Sequence, residues 1–483
     1  MSDGTPPGRR DLVAGAALAA MAGAFASPAA AQTAGRRPGD GAVNVRDHGA
    51  RGDGQADDSR AFARAVQAVA GTGGIVFVPP GTYRVSRLTS ASGVWWQGVP
   101  GASILRYGGG GGLLLLEGAR SATFTGLTFD GNGRAALDAS ALVEVWKDST
   151  GVVFENCTVQ DGGRHGLAIW DAGCELRGCT VQRIAGYGIR VDSELEVRLT
   201  GNTVRQIGNN GIRIERSRPA RVRTIVADNH IVDVASADGG DGPNGNGISI
   251  FRAHDVVVRG NYISRCRFSA LRTNLGHGVV FVGNHCSDCG ETTVFIEFGA
   301  TGTVIMGNTI SDGVSEGIAI TNFNDDGRLA TCIGNVIRNV GRGIFVEADT
   351  VVQGNVIDGA QIGIMAGHGE YLRNVTIDGN LIQDRRGGSE RMAYGILVSN
   401  HPKAGPCFVT NNRIFDAARK PLWGHDFRTP ARLGDNLYLA GNYPGIDSRD
   451  LPAAALAGSS NHEPDTGVIR SYRTGRRPGW REA

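Results

Sequence analysis

The sequence predicts an all-β solenoid whose short strands stack in parallel from coil to coil, a parallel β-helix. Three observations support this fold class: a Gly-Asn-x-Ile motif that recurs through most of the chain, a second strand pattern after each motif, and unequal spacing between motifs. The steps range from 20 residues (Ile337 to Ile357) to 32 residues (Ile231 to Ile263). Helical repeats keep a nearly constant period, whereas a solenoid tolerates coils with loops of different length.

The asparagine of the motif predicts a column of amides at one corner of the solenoid. Side chains stacked there would hydrogen-bond along the axis and satisfy turn backbone groups that are otherwise buried without partners. In two earlier coils Cys157 and Cys179 hold this position, and a strand spacing of about 4.8 Å permits either a disulfide or two free thiols. The predicted column consists of Asn202, Asn229, Asn261, Asn284, Asn308, Asn335, Asn355, Asn380 and Asn412.

A short strand with alternating apolar residues follows each motif. Alternation with period two indicates a strand with one buried face, and stacking the coils joins these faces into one continuous core. We therefore expect two columns to point inward. The first is Leu167, Ile189, Ile212, Ile248, Leu271, Val294, Ile318, Ile344, Ile364, Ile396 and Leu422. The second is Ile169, Val191, Ile214, Ile250, Thr273, Ile296, Ile320, Val346, Ala366, Val398 and Gly424.

Residues 58–70 predict a short amphipathic helix that caps the open end of the solenoid. Residues 57–59 supply helix N-cap chemistry, and a helix in this place covers apolar surface and an exposed sheet edge. The apolar residues at helical spacing are Phe62, Ala65, Val66 and Val69.

Two further motifs lie in the same region. Residues 49–58 read G-A-R-G-D-G-Q-A-D-D, and residues 73–83 read G-G-I-V-F-V-P-P-G-T-Y. Together they resemble the start of the pectate-lyase superfamily of right-handed parallel β-helices. The resemblance implies a right-handed solenoid to about residue 440 and activity on polysaccharides as a lyase, hydrolase or epimerase, although a fold does not determine a function. The ordered polygalacturonase motifs are missing, which disfavours ordinary pectin hydrolysis.

Residues 1–31 predict a twin-arginine signal peptide. Arg9 and Arg10 precede an apolar run from Leu12 to about Ala26, and residues 29–31 fit a small-x-small cleavage site. The run is shorter than the roughly 20 apolar residues of a membrane span, so we expect no transmembrane segment in the mature chain. A Sec signal and an alanine-rich terminus without export function are the alternatives. The leader and the Gly-Asn-x-Ile repeats together resemble a family of twin-arginine-translocated repeat proteins.

The predicted organisation is a signal peptide (1–31), a linker (32–42), one β-helix domain (43–444) and a C-terminal cap or tail (445–483). Export would place the mature chain in the periplasm or outside the cell, as a monomer or a weak oligomer. The net charge is +2, and no basic stripe alternates with aromatic residues, so a nucleic-acid partner is not expected. Glycine accounts for 74 of 483 residues, about twice the usual share, as many tight turns require.

The residues between the inward columns should face outward, side by side on one sheet. Aromatic rings stack on sugar rings, arginine binds a carboxylate through two hydrogen bonds, and carboxylates exchange protons. This strip therefore predicts a sugar-binding groove; the alternative is a solvated face on which opposite charges of neighbouring strands pair. The strip is defined by Arg190, Arg213, Arg272, Asp192, Glu215, Glu297, Trp170, Phe251, Phe295, Phe345 and Trp423.

The candidates for catalysis are Arg272, Glu297, Asp192 and Glu215. In elimination from a uronate, Arg272 would neutralise the carboxylate and Glu297 or a groove arginine would act as the base. Hydrolysis needs two carboxyl groups roughly 5–5.5 Å or 6.5–9.5 Å apart. Asp192 and Glu215 lie on adjacent coils, and Glu297 and Glu347 lie two coils, or about 10 Å, apart, so spacing admits either reaction. The candidates for substrate binding are Arg190, Arg213, Phe251, Asn274, Phe295, Thr321, Asn322, Asn324 and Glu347.

Two loops rich in Asp, Asn and Gly should flank Arg272 and Glu297. Residues 237–247 precede one strand of this sheet, and residues 321–328 follow another strand three coils later. Their side-chain oxygens would suit Ca²⁺, but neither loop matches an EF-hand, and turn formation is the simpler interpretation. We therefore predict no cofactor, and the residues that would hold Ca²⁺ if it binds are Asp238, Asp241, Asp325 and Asp326.

These inferences predict an exported polysaccharide-processing protein, a lyase, epimerase or hydrolase acting on an acidic glycan in a groove on one sheet. The alternative is a non-catalytic glycan-binding, adhesin or envelope module that uses the same strip. The expected partners are a polysaccharide or oligosaccharide and, during export, the twin-arginine translocase. If Arg272 binds the glycan directly, Arg272→Ala should reduce glycan affinity and leave thermal unfolding nearly unchanged.

Overall fold

The computed structural model describes residues 41–135, 139–240, 242–384, 392–399, 403–415, 420–425, 437–440, 460–462 and 469–471. The predicted signal peptide lies outside these residues, as do most of the predicted linker and most of the predicted tail. The boundaries of those segments therefore remain predictions.

Three parallel sheets, which we term sheets A, B and C, run along a solenoid of about 13 turns. Successive coils pair in parallel, so a residue of one coil lies beside the equivalent residue of the next. Val181 beside Val204 in sheet B and Ile189 beside Ile212 in sheet C are examples. The predicted fold class, an all-β parallel β-helix, is confirmed.

Sheet A consists of Ala42–Asn44, Ile75–Phe77, Trp95–Gln97, Thr123–Thr125, Val152–Glu155, Cys174–Arg177, Glu196–Thr200, Arg223–Ala227, Val257–Arg259, Val280–Val282, Val304–Met306, Ala330–Ile333, Thr350–Gln353, Val375–Asp378, Cys407–Thr410 and Leu437–Ala440. Sheet B consists of Asp53–Asp57, Gly81–Val85, Ser103–Tyr107, Thr128–Asp130, Thr158–Gly162, Thr180–Ile184, Thr203–Ile207, His230–Val234, Tyr262–Cys266, His285–Ser287, Thr309–Ser311, Val336–Val346, Val356–Ala366, Leu381–Gln383 and Arg413–Ile414.

Sheet C consists of Leu114–Glu117, Ala141–Trp146, His165–Trp170, Ile189–Asp192, Ile212–Arg221, Ile248–His254, Leu271–Asn274, Val294–Glu297, Glu316–Thr321, Val336–Val346, Val356–Ala366, Tyr394–Ser399 and Lys420–His425. Val336–Val346 and Val356–Ala366 run through sheets B and C without a break. A separate antiparallel pair joins Ser460–His462 to Ile469–Ser471.

The repeat patterns correspond to sheets B and C, and the repeated strands of sheet A were not predicted. Most strands of sheet A are three or four residues long, which is too short for alternation to stand out. The signal was nevertheless present: in Val152–Glu155 the side chains of Val152 and Phe154 are buried and those of Val153 and Glu155 are not. Sheet A closes the third side of the core.

The two predicted inward columns of sheet C are buried. Every member whose side chain is described has a relative exposure of 5% or less. Glycine is required before the isoleucine for a steric reason. A Cβ on Gly343 would lie 2.4 Å from the carbonyl oxygen of Gly363 and 2.7 Å from Cγ2 of Ile357. Successive coils approach too closely there for any side chain, so the Gly-Ile repeat reflects packing between coils.

The asparagines form the predicted ladder, all of them 2% exposed or less. Oδ1 of Asn308 accepts hydrogen bonds from the backbone N and Nδ2 of Asn284, at 2.9 and 3.0 Å. Nδ2 of Asn308 donates to the carbonyl of Phe281 at 3.0 Å and to Oδ1 of Asn335 at 2.9 Å. Each amide therefore satisfies backbone groups and links two coils, as the sequence predicted.

Free thiols occupy the first two rungs of this ladder. All eight cysteines of the chain lie in the described residues, and each is buried and unpaired. The ladder begins where the backbone N of Cys179 donates to Oδ1 of Asn202 at 2.9 Å. Of the two alternatives for Cys157 and Cys179, the structure has the thiols.

The capping helix spans Ser59–Val69, within one residue of the predicted ends. Phe62 enters the core and stacks on Trp96, with ring centroids 5.8 Å apart. Asp57 accepts the backbone N–H of Ser59 at 3.0 Å, whereas Asp58 accepts those of Arg51 and Gly52. The N-cap position itself is Asp58, whose side chain makes no capping bond to the helix, and Asp57 binds the first helical residue from just outside it.

Two short 3-10 helices, Val45–His48 and Asn324–Asp326, complete the described helices. Within the described chain, none of the helices combines the length and the hydrophobicity needed to span a bilayer.

Candidate functional site

The outward residues of sheet C form two rows on one face. The arginine row runs in register through Ala168, Arg190, Arg213, Ser249, Arg272, Phe295, Ala319, Phe345, Met365 and Leu397. The carboxylate row lies two residues further along each strand and comprises Trp170, Asp192, Glu215, Phe251, Asn274, Glu297, Thr321 and Glu347. The candidate residues scattered along the sequence therefore share one face of the molecule.

Glu215 binds two arginines of the arginine row. Its Oε1 accepts from Nε of Arg190 at 2.6 Å, and its Oε2 accepts from Nε of Arg213 at 2.9 Å. Arg213 also donates to Oγ of Ser249 at 2.6 Å. Burial raises the pKa of Glu215, but the charges of Arg213 and Arg190 outweigh burial and leave the pKa below its usual value. Both guanidinium groups are thus engaged within the protein.

Arg272 and Glu297 form a bidentate ion pair. Nε and Nη2 of Arg272 donate to the two carboxylate oxygens of Glu297 at 2.6 and 2.8 Å, and Nη1 donates to Glu291 at 3.3 Å. The side chains of Arg272 and Glu297 are 12% and 10% exposed. Gly242 packs directly over the guanidinium, since a Cβ on this residue would lie 2.1 Å from Nη1.

Asp192 is held by Arg216, a residue that the sequence analysis did not single out. Nη1 of Arg216 donates to Asp192 at 2.6 Å and to Asp171 at 3.2 Å, and Nη2 donates to Glu194 at 2.8 Å. Burial raises the pKa of Asp192 by more than the charge of Arg216 lowers it. Arg216 follows Glu215 directly, in a strand that continues to Arg221 across a register shift, and no repeat pattern marked it.

Four aromatic rings of the rows lie against arginines, and one of them is Phe345, whose ring centroid is 5.3 Å from the guanidinium carbon of Arg342. The guanidinium carbon of Arg190 is 4.3 Å from the ring centroid of Trp170, and that of Arg272 is 4.9 Å from that of Phe295. Phe251 lies near Arg213 at 5.4 Å and Arg252 at 4.7 Å. These cation–π contacts cover part of the ring surface on which sugar was predicted to stack.

Phe345 was predicted to be an exposed aromatic residue of the strip, and that prediction is wrong. It is 9% exposed and packs in an apolar cluster with Ala319, Met365 and Leu397 on the outer face of sheet C. The arginine row is therefore ionic in its first half and apolar in its second half. The strand position of Trp423 is in register with Leu397, but its side chain is outside the described structure.

In four consecutive coils of the carboxylate row, Glu297 is the one residue that pairs with an arginine of the described chain. We term Asn274, Glu297, Thr321 and Glu347 the polar row. The amide of Asn274 makes no hydrogen bond to any described residue, and the hydroxyl of Thr321 donates to the carbonyl of Ile296 at 3.3 Å. One residue per coil gives a spacing of about 4.8 Å along the axis.

Glu347 is the carboxyl group of the polar row without a cation. It is 8% exposed, and its Oε2 accepts the backbone N–H of Phe323 at 3.2 Å. Burial raises the pKa of Glu347 to about 7, although the hydrogen bond from Phe323 favours the ionised form. Phe323 contacts the ring of Tyr371 edge to face at 5.3 Å, and Arg373 lies 5.4 Å from the Phe323 ring.

The two asparagines predicted to bind substrate in the loop 321–328 differ in exposure. Asn322 is fully buried and exchanges two 3.1 Å hydrogen bonds with the backbone of Ala348, which fixes the loop. Asn324 is exposed at the start of the 3-10 helix. Asn322 therefore positions the loop beside Glu347, and Asn324 faces solvent.

The candidate Ca²⁺ residues do not converge within the described chain. Asp238 accepts from Nδ2 of Asn209 at 2.7 Å, and Asp326 lies 3.6 Å from Arg328 and 3.8 Å from Arg373. Asp241 and the side chain of Asp325 lie outside the described structure. Among the described residues, no group of three or more His, Cys, Asp or Glu side chains has a metal-binding arrangement.

Two exposed rings near the polar row were not predicted. Phe298 follows Glu297 directly and is 43% exposed, and Tyr371 is 38% exposed. Both residues lie after a strand of sheet C. Beyond the end of a strand, the alternation of side chains between inside and outside no longer predicts which way a side chain points. The sequence carried only a weak signal for Phe298, an aromatic residue next to a candidate carboxylate.

A family model described as the right-handed β-helix region matches residues 168–326 and 229–382. This chain has the right-handed β-helix fold. A second model, described as rhamnogalacturonase A/epimerase, pectate lyase-like, matches residues 42–107 of this β-helix, the region of the capping helix. No curated protein matches the sequence.

Solved structures share this fold at low identity. The catalytic unit of an α-1,3-glucanase from Streptomyces thermodiastaticus is 20% identical with a TM-score of 0.43, over 86% of this chain and 70% of its own. The A-module of the mannuronan C-5 epimerase AlgE6 from Azotobacter vinelandii is 18% identical with a TM-score of 0.42, over 83% and 98%. The surface adhesin PfbA of Streptococcus pneumoniae is 15% identical with a TM-score of 0.38, over 79% and 93%. At these values the likeness concerns the fold alone.

Proposed function

We propose that this chain is a polysaccharide-processing enzyme whose substrate lies along the outer face of sheet C. The observation that supports the proposal is the polar row, in which successive coils place hydrogen-bonding groups about 4.8 Å apart. A glycan running along the solenoid axis would meet one such group at each coil. The exposed rings of Phe298 and Tyr371 supply apolar surface beside the row, which suits the faces of sugar rings.

Among the predicted reactions, the geometry favours hydrolysis. Elimination and epimerisation of a uronate need a cation that is free to neutralise the substrate carboxylate, and Arg272 is already bonded to Glu297. Hydrolysis needs two carboxyl groups, and Glu297 and Glu347 stand two coils apart, about 10 Å between backbones. This separation is nearer to the 6.5–9.5 Å between carboxyl groups of inverting enzymes than to the roughly 5–5.5 Å of retaining enzymes.

The arginines of sheet C bear on whether the glycan is acidic or neutral. The sequence predicted an acidic glycan because of Arg190, Arg213 and Arg272. A substrate carboxylate would have to displace Glu215 or Glu297 to reach these guanidinium groups. We therefore propose that neutral glycans are substrates as well as acidic ones.

Export and cofactor use also belong to the proposal. The leader at residues 1–31 supports export by the twin-arginine translocase to the periplasm or beyond, and it supports membership of the twin-arginine-translocated repeat proteins. Ca²⁺ binding by the Asp-rich loops would be an addition to the site, and no step of the hydrolysis requires it.

A non-catalytic glycan-binding module is the second candidate. The observation that favours it is the pairing of three predicted catalytic carboxylates, Asp192, Glu215 and Glu297, with arginines of the protein. If the arginines hold all three carboxylates when the glycan is bound, the same surface binds a glycan without cleaving it.

The deciding experiment incubates the purified mature chain with acidic and neutral polysaccharides. Reducing-end release measures hydrolysis, and ultraviolet absorbance of unsaturated ends measures elimination. We expect reducing ends without new absorbance. Binding without either signal supports the second candidate, and absence of both binding and turnover on the whole panel contradicts both.

A matched pair of variants tests the location. Asn274→Ala removes an open amide of the polar row and should weaken glycan binding about tenfold, the effect of one or two lost hydrogen bonds. Asn339→Ala removes an exposed asparagine that bonds to Asp312 and should leave binding unchanged. Equal effects of the two variants would place the site elsewhere.

A further inference from the structure

Glu347 differs from the other acidic residues of the two rows in its partners. Asp192, Glu215 and Glu297 each accept hydrogen bonds from a guanidinium group. Glu347 is as buried as Glu297, and its partner in the described chain is a single backbone N–H. A buried carboxyl group without a cation is costly to ionise, so the fold maintains at this position an environment that favours the neutral acid.

The charged groups around Glu347 are all engaged with one another. Arg373, whose backbone N donates to the carbonyl of Glu347, binds Asp349 at 2.8 Å and lies 3.8 Å from Asp326. Glu297, two coils away, is held by Arg272. None of these groups offers an uncompensated positive charge to the Glu347 carboxyl.

The loop beside Glu347 is built to hold its position. Asn322 fixes the loop through the backbone of Ala348, and the next residue, Phe323, donates its N–H to Oε2 of Glu347. The hydrogen bond orients one oxygen of the carboxyl group and leaves Oε1 without a partner among the described residues. Oε1 is therefore the atom available to a substrate.

We propose that Glu347 is the proton donor of the reaction and that Glu297 accepts the proton of the attacking water, an assignment that rests on the proposed hydrolysis. Different environments can give two carboxyl groups different pKa values, and this is the general way in which an acid and a base coexist at one pH. Burial, which raises the pKa of Glu347 to about 7, supports the role of the acid. Glu297, the other acidic residue of the polar row, accepts hydrogen bonds from Arg272 on both carboxylate oxygens, an environment different from that of Glu347, and we assign it the role of the base.

The glycosidic C–O bond breaks, its electron pair passes to the leaving oxygen, and that oxygen takes the proton of Glu347. Water adds its oxygen to the anomeric carbon and gives one proton to Glu297. One water is consumed and two sugar ends are formed, and exchange with solvent returns the proton from Glu297 to Glu347.

The test compares the wild type with Glu347→Gln on the glycan that the panel identifies. Gln keeps the size and the acceptor for Phe323 but cannot donate the catalytic proton, so kcat should fall roughly 10²- to 10⁴-fold. The wild-type kcat should decline above about pH 7, and the variant should lack this decline. Glu175→Gln, at a half-buried position of sheet A, should match the wild type.

A second substrate distinguishes a lost proton donor from a distorted site. The dinitrophenyl glycoside of the cleaved sugar has a leaving group that needs no protonation, so Glu347→Gln should hydrolyse it at nearly the wild-type rate. Equal loss on both substrates overturns the assignment, as does full activity of Glu347→Gln on the polysaccharide. A wild type that cleaves no glycan of the panel contradicts the proposed function itself.

Discussion

Glu297 accepts hydrogen bonds from Nε and Nη2 of Arg272 at 2.6 and 2.8 Å, in a pair that is almost completely buried. Removing one partner of a buried pair leaves an uncompensated charge, which typically costs about 3–5 kcal/mol. We therefore expect Arg272→Ala to lower the free energy of unfolding by about this amount, measured by denaturant titration.

This expectation differs from the one based on the sequence, in which Arg272→Ala affects only glycan affinity. Arg183→Ala is the matched control, because Arg183 pairs with Asp161 at 2.6 Å on an exposed surface; exposed pairs are worth about 1 kcal/mol or less. Unchanged stability of Arg272→Ala together with lost glycan affinity would support direct binding of the substrate by Arg272.

Glu347 should make stability depend on pH in a defined window. Its pKa of about 7 in the folded chain lies above the usual value near 4.3. A raised carboxyl pKa contributes stability that is present below the unfolded pKa and lost as pH rises through the folded pKa. Relative to Glu347→Gln, the wild type should lose about 3 kcal/mol of unfolding free energy between pH 4 and pH 8. A difference between the two proteins that does not vary with pH would contradict the shifted pKa.

The asparagine ladder should be least tolerant of change in its middle. Asn308→Ala leaves two donors of Asn284 without their acceptor, and each buried unsatisfied group costs about 1–3 kcal/mol. Asn202→Ala, at the first asparagine of the ladder, removes the acceptor of a single donor in the preceding coil, the backbone N of Cys179. Thermal unfolding should show the larger loss for Asn308→Ala, and the reverse order would mean that the rungs do not act through these bonds.

The glycine before each isoleucine should resist substitution. Gly343→Ala would place a methyl group 2.4 Å from the carbonyl oxygen of Gly363, so the coils must separate, at a cost of about 1–3 kcal/mol or more. In Gly173→Ala the nearest atom lies at 3.4 Å, an ordinary contact, and stability should change by less than 1 kcal/mol. Chemical denaturation of the two variants tests the difference.

Local periodicity was sufficient to predict the inward columns and the ladder. Ile344 and Ile364 are buried and Asn335 bonds to Asn355 because each coil repeats the same apolar and amide positions. Sheet A escaped prediction because strands as short as Val280–Val282 contain a single buried residue, which no periodicity test detects.

The sequence by itself determined which residues share a wall, because parallel stacking places equivalent positions of successive coils about 4.8 Å apart. That rule placed Arg190, Arg213, Arg272 and Glu297 on one face of the solenoid. Only the tertiary structure decided how these residues are used, because side-chain pairing depends on contacts between coils and on loops whose lengths vary. Those contacts bind Arg272 to Glu297, bury Phe345 among apolar neighbours and leave Glu347 without a cation. The repeat pattern predicts none of these three outcomes.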